Sequence, residues 1–298
     1  MAQLRPRSDV IYIIVSIGGN IETGMNPKLK AFLRFPTPVR FARTLGIYYL
    51  GLVVFAAFFT NRMLFHPPGL RDQLLNQVTL RAFDGNDITA LYLLNPKAAY
   101  VVLFSYGNGE CLEANEDFLH QMVLHGWAAC GYDYPGYGLS TGHPSEAGCY
   151  AAINAAYDYL TQVLHIPPER IVLYGRSVGT GPTVDLASKR PIGGLMLEGA
   201  YLSIYRVVTH YRILPWDVFN NFAKISSIHV PLLSIHAQND HVIPFWQGQE
   251  LYDTYTGPKT HFWVPNADHN TITQVAWDDY WKAIDKFQQS LPVLPPLN

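Results

Sequence analysis

The sequence predicts an α/β fold: a mostly parallel, doubly wound sheet of about eight strands, preceded by one apolar helix. Three observations carry this. Short apolar, β-branched runs alternate with longer amphipathic stretches through most of the chain. One such run, Arg170-Ile171-Val172-Leu173-Tyr174, passes directly into Gly175-Arg176-Ser177-Val178-Gly179 and then into a small-residue helix start. An uncharged run from Thr44 to Thr60 stands ahead of them all.

Taken in chain order, that uncharged run comes first. As a helix it would extend roughly 26 Å, at the short end of what crosses a bilayer. Lys28, Lys30, Arg34, Arg40 and Arg43 precede it with no acid from Met25 onward, and Arg62 is the nearest charge after it. By the tendency of basic flanks to stay cytoplasmic, residues 1–43 form a cytoplasmic segment, residues 44–60 a single-pass signal anchor, and the remainder lies on the non-cytoplasmic side. A cleaved signal peptide and a buried core helix are the alternatives, and no convincing small-x-small cleavage site follows the run. Residues 1–24 read poorly as a targeting segment, which leaves Met25 as an alternative start.

Strands are expected near 77–83, 88–94, 99–106, 127–132, 170–175, 194–198, 231–236 and 260–264, with helices near 112–125, 146–165, 178–188, 245–255 and 272–289. Together they make a catalytic-domain-sized unit over 61–290. Within it, 201–228 reads as a lid-like insertion. Tyr201, Tyr205 and Val208 recur there at helical spacing, Pro215 interrupts, and Trp216, Phe219 and Phe222 follow. These aromatics either pack the insertion onto the sheet or form a wall that accepts an acyl chain and grazes a membrane surface. Pro292, Pro295 and Pro296 make residues 291–298 an extended tail.

Composition narrows the partners. The 298 residues are 49% hydrophobic and only 15% charged, enough for one α/β domain with a front addition. A net charge of −2 gives no electrostatic case for nucleic acid. Cys111, Cys130 and Cys149 are too few and too irregular for a disulfide framework or a zinc site. Neither a phosphate loop nor a dinucleotide fingerprint is present.

The chemistry is carried by the strand-to-helix junction at Ser177. A strand ending in Gly-x-Ser-x-Gly and reversing at once into a helix forces the serine onto a strained elbow, because only glycine lets the backbones pass so closely. The alternative is a glycine-rich turn with a surface serine. A serine hydroxyl needs a histidine to take its proton and a carboxylate to orient that histidine, in the chain order Ser, acid, His. Asp240, at the end of the apolar run 231–236, is the candidate acid, and His269, in the loop after Thr260 to Val264, is the candidate base. Asp268 ranks well below Asp240, while His236 and His241 are expected to pack or hydrogen-bond around the acid's loop.

Upstream, the strand over 99–106 ends in Tyr106-Gly107-Asn108-Gly109-Glu110. Such a turn can aim the Asn108 N–H, together with that of Val178, at a developing oxyanion, or it can be an ordinary strand-to-helix turn. Asp133 precedes the serine in the chain and is expected to brace a loop. Neither metal nor organic cofactor is required by this relay.

With these residues in view, the sequence from about Phe65 to Leu291 resembles the α/β-hydrolase superfamily, and within it the membrane-tethered α/β-hydrolase-domain branch that includes acyl-protein thioesterases and lysophospholipid lipases. The cues are Asn61-Arg62-Met63-Leu64-Phe65-His66-Pro67, the Tyr-Gly-Asn turn, Asp133-Tyr134-Pro135-Gly136-Tyr137-Gly138 with Pro144-Ser145-Glu146, the elbow, Leu197-Glu198, Asp240 and Asp268-His269-Asn270. The resemblance implies a serine hydrolase of the esterase, thioesterase or lipase type with Ser177, Asp240 and His269 as its triad. Two positions depart from the family pattern. Tyr106 replaces a histidine common before the Gly-Asn turn, which leaves the shape of the oxyanion hole open, and Ala237 replaces a glycine common before the acid loop. A serine peptidase on the same fold and a non-catalytic, hydrolase-shaped binding protein are the alternative readings.

Overall fold

The computed structural model describes residues 38–69 and 73–297, so the greater part of the expected basic segment, and Met25, lie outside the described residues. The chain divides into two units, Met1–Val54 and Phe55–Asn298. Helix α1 runs from Pro38 to Leu64 and is exposed along nearly all its length, with Ala56 buried. Proline suits the first helical position, where its missing N–H costs nothing. The helix is therefore longer at both ends than the expected span of 44–60, and it is long and apolar enough to cross a membrane.

The second unit is built on eight strands: β1 Gln77–Arg81, β2 Asp87–Leu93, β3 Val101–Ser105, β4 Ala128–Tyr132, β5 Ile171–Arg176, β6 Gly194–Glu198, β7 Leu232–Ala237 and β8 Lys259–Val264. Their order across the sheet is β1-β2-β4-β3-β5-β6-β7-β8. Strand β2 runs antiparallel to β1 and to β4, and every other neighbouring pair is parallel. All residues of β3, β4 and β6 are buried, which is why these strands read as largely apolar runs rather than alternating ones.

Between the strands lie α2 (Glu116–Leu124), α3 (Glu146–Asp158), α4 (Thr180–Ala187), α5 (Ile204–Thr209), α6 (Phe245–Thr254) and α7 (Ile272–Ser290). The Ser145 hydroxyl caps α3 by accepting the Gly148 N–H at 3.0 Å. The helices expected at 112–125, 146–165 and 178–188 each change character along their length: a 3₁₀ turn over Glu113–Asn115 precedes α2, a π turn over Tyr159–Val163 follows α3, and a 3₁₀ turn over Ser177–Gly179 leads into α4.

In the insertion, α5 holds Tyr205 and Val208 but not Tyr201. It stops at His210, whose φ of 61° is left-handed. The tail is extended and anchored: the Leu297 N–H donates to Ala98 O at 2.6 Å, and the Tyr100 hydroxyl donates to Pro292 O at 2.6 Å.

Parallel pairing decides where chemistry can gather. In register, Ser105 lies opposite Gly175 and Arg176 opposite Glu198, so the C-terminal ends of β3, β5 and β6 meet at one edge. Ligands of open α/β sheets bind at that edge.

Candidate active site

Ser177 leaves β5 with φ = 53°, a left-handed conformation that costs a non-glycine residue on the order of 1–3 kcal/mol unless its surroundings enforce it. They do. A Cβ on Gly175 would lie 2.7 Å from Thr183 Oγ1 and 2.8 Å from Gly179 O, and one on Gly179 would lie 2.6 Å from Tyr106 O. Glycine at both positions lets strand, elbow and helix cross within backbone contact.

The loops after β7 and β8 deliver the two other residues. The Ser177 hydroxyl lies 2.8 Å from His269 Nε2, and His269 Nδ1 lies 2.7 Å from Asp240 Oδ2. A carboxylate accepts only, so His269 carries its proton on Nδ1 and offers a bare Nε2 to the serine. Gly199, with φ = 57°, makes room for the ring: a Cβ there would stand 3.0 Å from His269 Cε1.

Asp240 is held at both oxygens. Its Oδ1 accepts the backbone N–H groups of Val242 at 2.9 Å and Ile243 at 2.6 Å, and its Oδ2 also faces His236 Nε2 at 3.4 Å. Burial pushes this carboxyl upward. The hydrogen bonds from His236, His269 and the Ile243 N–H outweigh burial and hold it well below the usual carboxylate range. His236 is fully buried and sits 3.0 Å from Ile243 O, an acceptor, so its Nε2 bears the proton that also points at Asp240.

The expectations for the neighbouring residues can be placed as well. The Asp268 carboxylate does not reach the His269 ring. It accepts the His269 N–H at 2.7 Å and the His241 N–H at 3.0 Å, joining the acid loop to the histidine loop, and these backbone N–H groups hold its carboxyl below the ordinary value. Asp133 accepts from the Tyr106 hydroxyl and the Leu112 N–H, both at 2.7 Å, and its buried carboxyl is pushed up to about 6 by desolvation. Tyr106 is thus fixed from both sides, since its carbonyl also accepts the Tyr134 hydroxyl at 2.7 Å.

The Tyr106-Gly107-Asn108 turn adjoins the elbow: a Cβ on Gly107 would lie 3.4 Å from Ser177 Cβ. The Gly107 N–H is committed to Glu110 Oε2 at 3.2 Å, which leaves Asn108 as the next donor along the turn. The Asn108 side chain is itself held, its Oδ1 accepting the His66 N–H and the Tyr137 hydroxyl, each at 3.0 Å. Val178 follows the serine directly, and its carbonyl accepts the Tyr201 hydroxyl at 3.1 Å.

One arrangement is not foreshadowed by the motif reading. Glu110 Oε2 also receives Arg176 Nη2 at 2.5 Å and Asn115 Nδ2 at 3.1 Å. Its charge is therefore opposed by a guanidinium rather than aimed at the serine. The sequence signal was a charged residue in a variable position of the elbow motif, immediately before the serine.

A sheet of this order, with an elbow after β5 and an acid and a histidine after β7 and β8, defines the α/β-hydrolase fold. Solved structures agree. An esterase of Pyrococcus furiosus superposes over 76% of this chain and 99% of its own with a TM-score of 0.64 at 16% identity, and an esterase of Exiguobacterium antarcticum over 72% and 99% with a TM-score of 0.55 at 14% identity. No protein-family model matches the chain.

Among curated proteins, alpha/beta hydrolase domain-containing protein 17B of Xenopus tropicalis is 37% identical over 198 residues, covering 64% of this chain and 68% of that protein. Its Homo sapiens counterpart is 36% identical over the same lengths. The protein aho-3 of Caenorhabditis elegans is 38% identical over 180 residues, 59% of this chain and 54% of its own length. The chain belongs to the alpha/beta hydrolase domain-containing protein 17 family.

Proposed function

We propose that this protein is a serine hydrolase that cleaves carboxylic esters or thioesters of acyl substrates through an acyl-enzyme intermediate. The observation that carries this reading is the unbroken line from the Ser177 hydroxyl through His269 to Asp240, at 2.8 and 2.7 Å. In the first half-reaction the Ser177 oxygen attacks the acyl carbonyl while its proton passes to His269 Nε2. Asp240 keeps the ring oriented and supports its positive charge. The N–H groups of Asn108 and Val178 hold the oxyanion, a contribution of about a hundred- to a thousandfold in rate for one such donor.

Collapse of the tetrahedral intermediate breaks the carbon–oxygen or carbon–sulfur bond, and His269 returns the proton to the departing alkoxide or thiolate. Water then attacks the acyl-serine, giving its proton to His269 and releasing the carboxylic acid and free Ser177.

Helix α1 makes the enzyme a single-pass membrane protein in this reading. The basic residues before it favour a cytoplasmic N-terminus with the catalytic unit on the opposite side. The test is turnover on acyl esters and thioesters of graded chain length beside peptide amides. Wild type is expected to hydrolyse the acyl substrates, and Ser177→Ala and His269→Ala to lose about 10⁴-fold or more in kcat. Retention of wild-type rates by Ser177→Ala would dismiss the assignment. Exclusive cleavage of peptides would move the substrate class to amides.

A further inference from the structure

The insertion between β6 and β7 presents a face that the proposed chemistry does not use. The Tyr205 hydroxyl on α5 lies 3.0 Å from Thr60 Oγ1 and accepts Trp216 Nε1 at 3.2 Å. Because the Thr60 hydroxyl donates to Ala56 O at 2.6 Å, the Tyr205 hydroxyl is the donor to Thr60. Ala56, Thr60 and Leu64 recur at i, i+4 and i+8 and are the shielded positions of this stretch of α1, while Phe58, Phe59 and Met63 stay exposed.

Val208, in the last turn of α5, is 80% exposed, and Tyr211, just beyond the helix, is 78% exposed. From Tyr201 to Trp216 the chain carries Arg206, His210 and Arg212 and not one acid. Arg206 is occupied by Asp217 at 3.8 Å and by the Phe222 ring, whereas the Arg212 guanidinium reaches only a carbonyl, Pro215 O, at 2.8 Å among the described contacts.

We infer that Val208, Tyr211 and Arg212 form a docking face for a lipid bilayer, so that the insertion rests in the interfacial layer beside the end of α1. This inference rests on the reading of α1 as a membrane anchor. Two features select lipid as the occupant. The face continues, through the Thr60–Tyr205 contact, into the exposed aromatics of an apolar helix. Its tyrosine has an apolar body and a polar tip, the composition that settles at a headgroup boundary. An enzyme so seated would receive its acyl substrate from the membrane rather than from bulk water.

The native cysteines are all buried, so an environment-sensitive nitrobenzoxadiazole label directed to Tyr211→Cys in the full chain reports that position alone. The comparison is Val163→Cys, 61% exposed and in the π turn ahead of β5, whereas the elbow follows the C-terminal end of that strand. In phosphatidylcholine vesicles carrying a bromolipid quencher, the label at 211 is expected to shift to the blue and to be quenched about threefold more than the label at 163.

Equal quenching at both positions in protein that floats with the vesicles would overturn the docking face and leave the anchor standing. Failure to float would overturn both. In parallel, Val208→Asp with Tyr211→Asp should lower turnover of a vesicle-embedded long-chain ester about tenfold while hydrolysis of a soluble short-chain ester is unchanged. Equal rates on the vesicle substrate would also overturn the inference.

Discussion

The left-handed φ of Ser177 is maintained by what surrounds it, and the tightest part of that enclosure is glycine. Gly179→Ala places a methyl group 2.6 Å from the Tyr106 carbonyl. The variant is expected to lose about 2–4 kcal/mol of stability and most of its hydrolytic activity, as read from denaturant unfolding and ester turnover. A wild-type unfolding midpoint would show that the elbow is looser than described.

Asp133 offers a test on pH. Its folded value is raised to about 6 by desolvation, so the folded state holds the proton more tightly than the unfolded state. Stability contributed by this group is full below the ordinary carboxyl value and falls as pH rises to about 6, by on the order of 3 kcal/mol. Asp240, held below its ordinary value, acts in the opposite sense and in a more acidic window, because its contribution is lost as pH falls. Asp133→Asn keeps the acceptor for Tyr106 and Leu112 and should flatten the decline between about pH 4 and pH 6 in thermal melts. An unchanged slope would contradict the burial argument.

The three residues of the proposed triad were legible in the sequence because each ends a recognisable apolar run and because their chain order is restrictive. The second histidine contact to Asp240 was only half legible: His236 stood out by proximity, while the direction of its ring depends on burial against Phe245.

Among the elements, the strands were readable and the helix ends were not. Buried parallel strands leave compact β-branched runs bounded by turn residues, a signal that survives without neighbours. The change to a π turn after Asp158 shifts hydrogen-bond partners by one residue without altering which side chains are apolar, so periodicity does not reveal it. Helix α5 is short because a left-handed His210 ends it and Pro215 follows, whereas the spacing of Tyr201, Tyr205 and Val208 suggested a longer face. Tyr201 instead drops into the core and holds the Val178 carbonyl.

The junction of Arg176 with Glu110 was illegible for a different reason: it joins two elements through side chains far apart in the chain. It fastens the end of β5 to the turn after β3 with charge-assisted bonds, roughly twice as strong as neutral ones. Glu110→Gln should keep the fold and leave KM unchanged, and it should lower kcat about tenfold through a loosened Gly107–Asn108 turn. Equal kcat in the variant would remove Glu110 from any role in placing the oxyanion donors.

At the scale of the whole molecule, the sheet order and the exposed apolar helix assign two different tasks to one chain. Helix α1 exposes Phe41, Leu45, Ile47, Leu50 and Phe58, each more than half accessible, a surface that water does not favour. The full chain is expected to stay with the membrane through alkaline carbonate extraction. In sealed microsomes the catalytic unit should resist added protease until detergent is supplied. Release by carbonate would contradict the anchor, and digestion without detergent would reverse the proposed orientation. The span was legible from hydropathy, but its extension to Pro38 and Leu64 was not, because helix propensity continues past the point where charge begins.

The central claim is that Ser177 is made reactive by His269 and Asp240. A fluorophosphonate probe followed by peptide mass mapping tests it most directly. The account predicts a single phosphonyl adduct on the peptide carrying Ser177, strongly slowed by His269→Ala and absent in Ser177→Ala. An adduct on another residue, or equal labelling of Ser177→Ala, would contradict it.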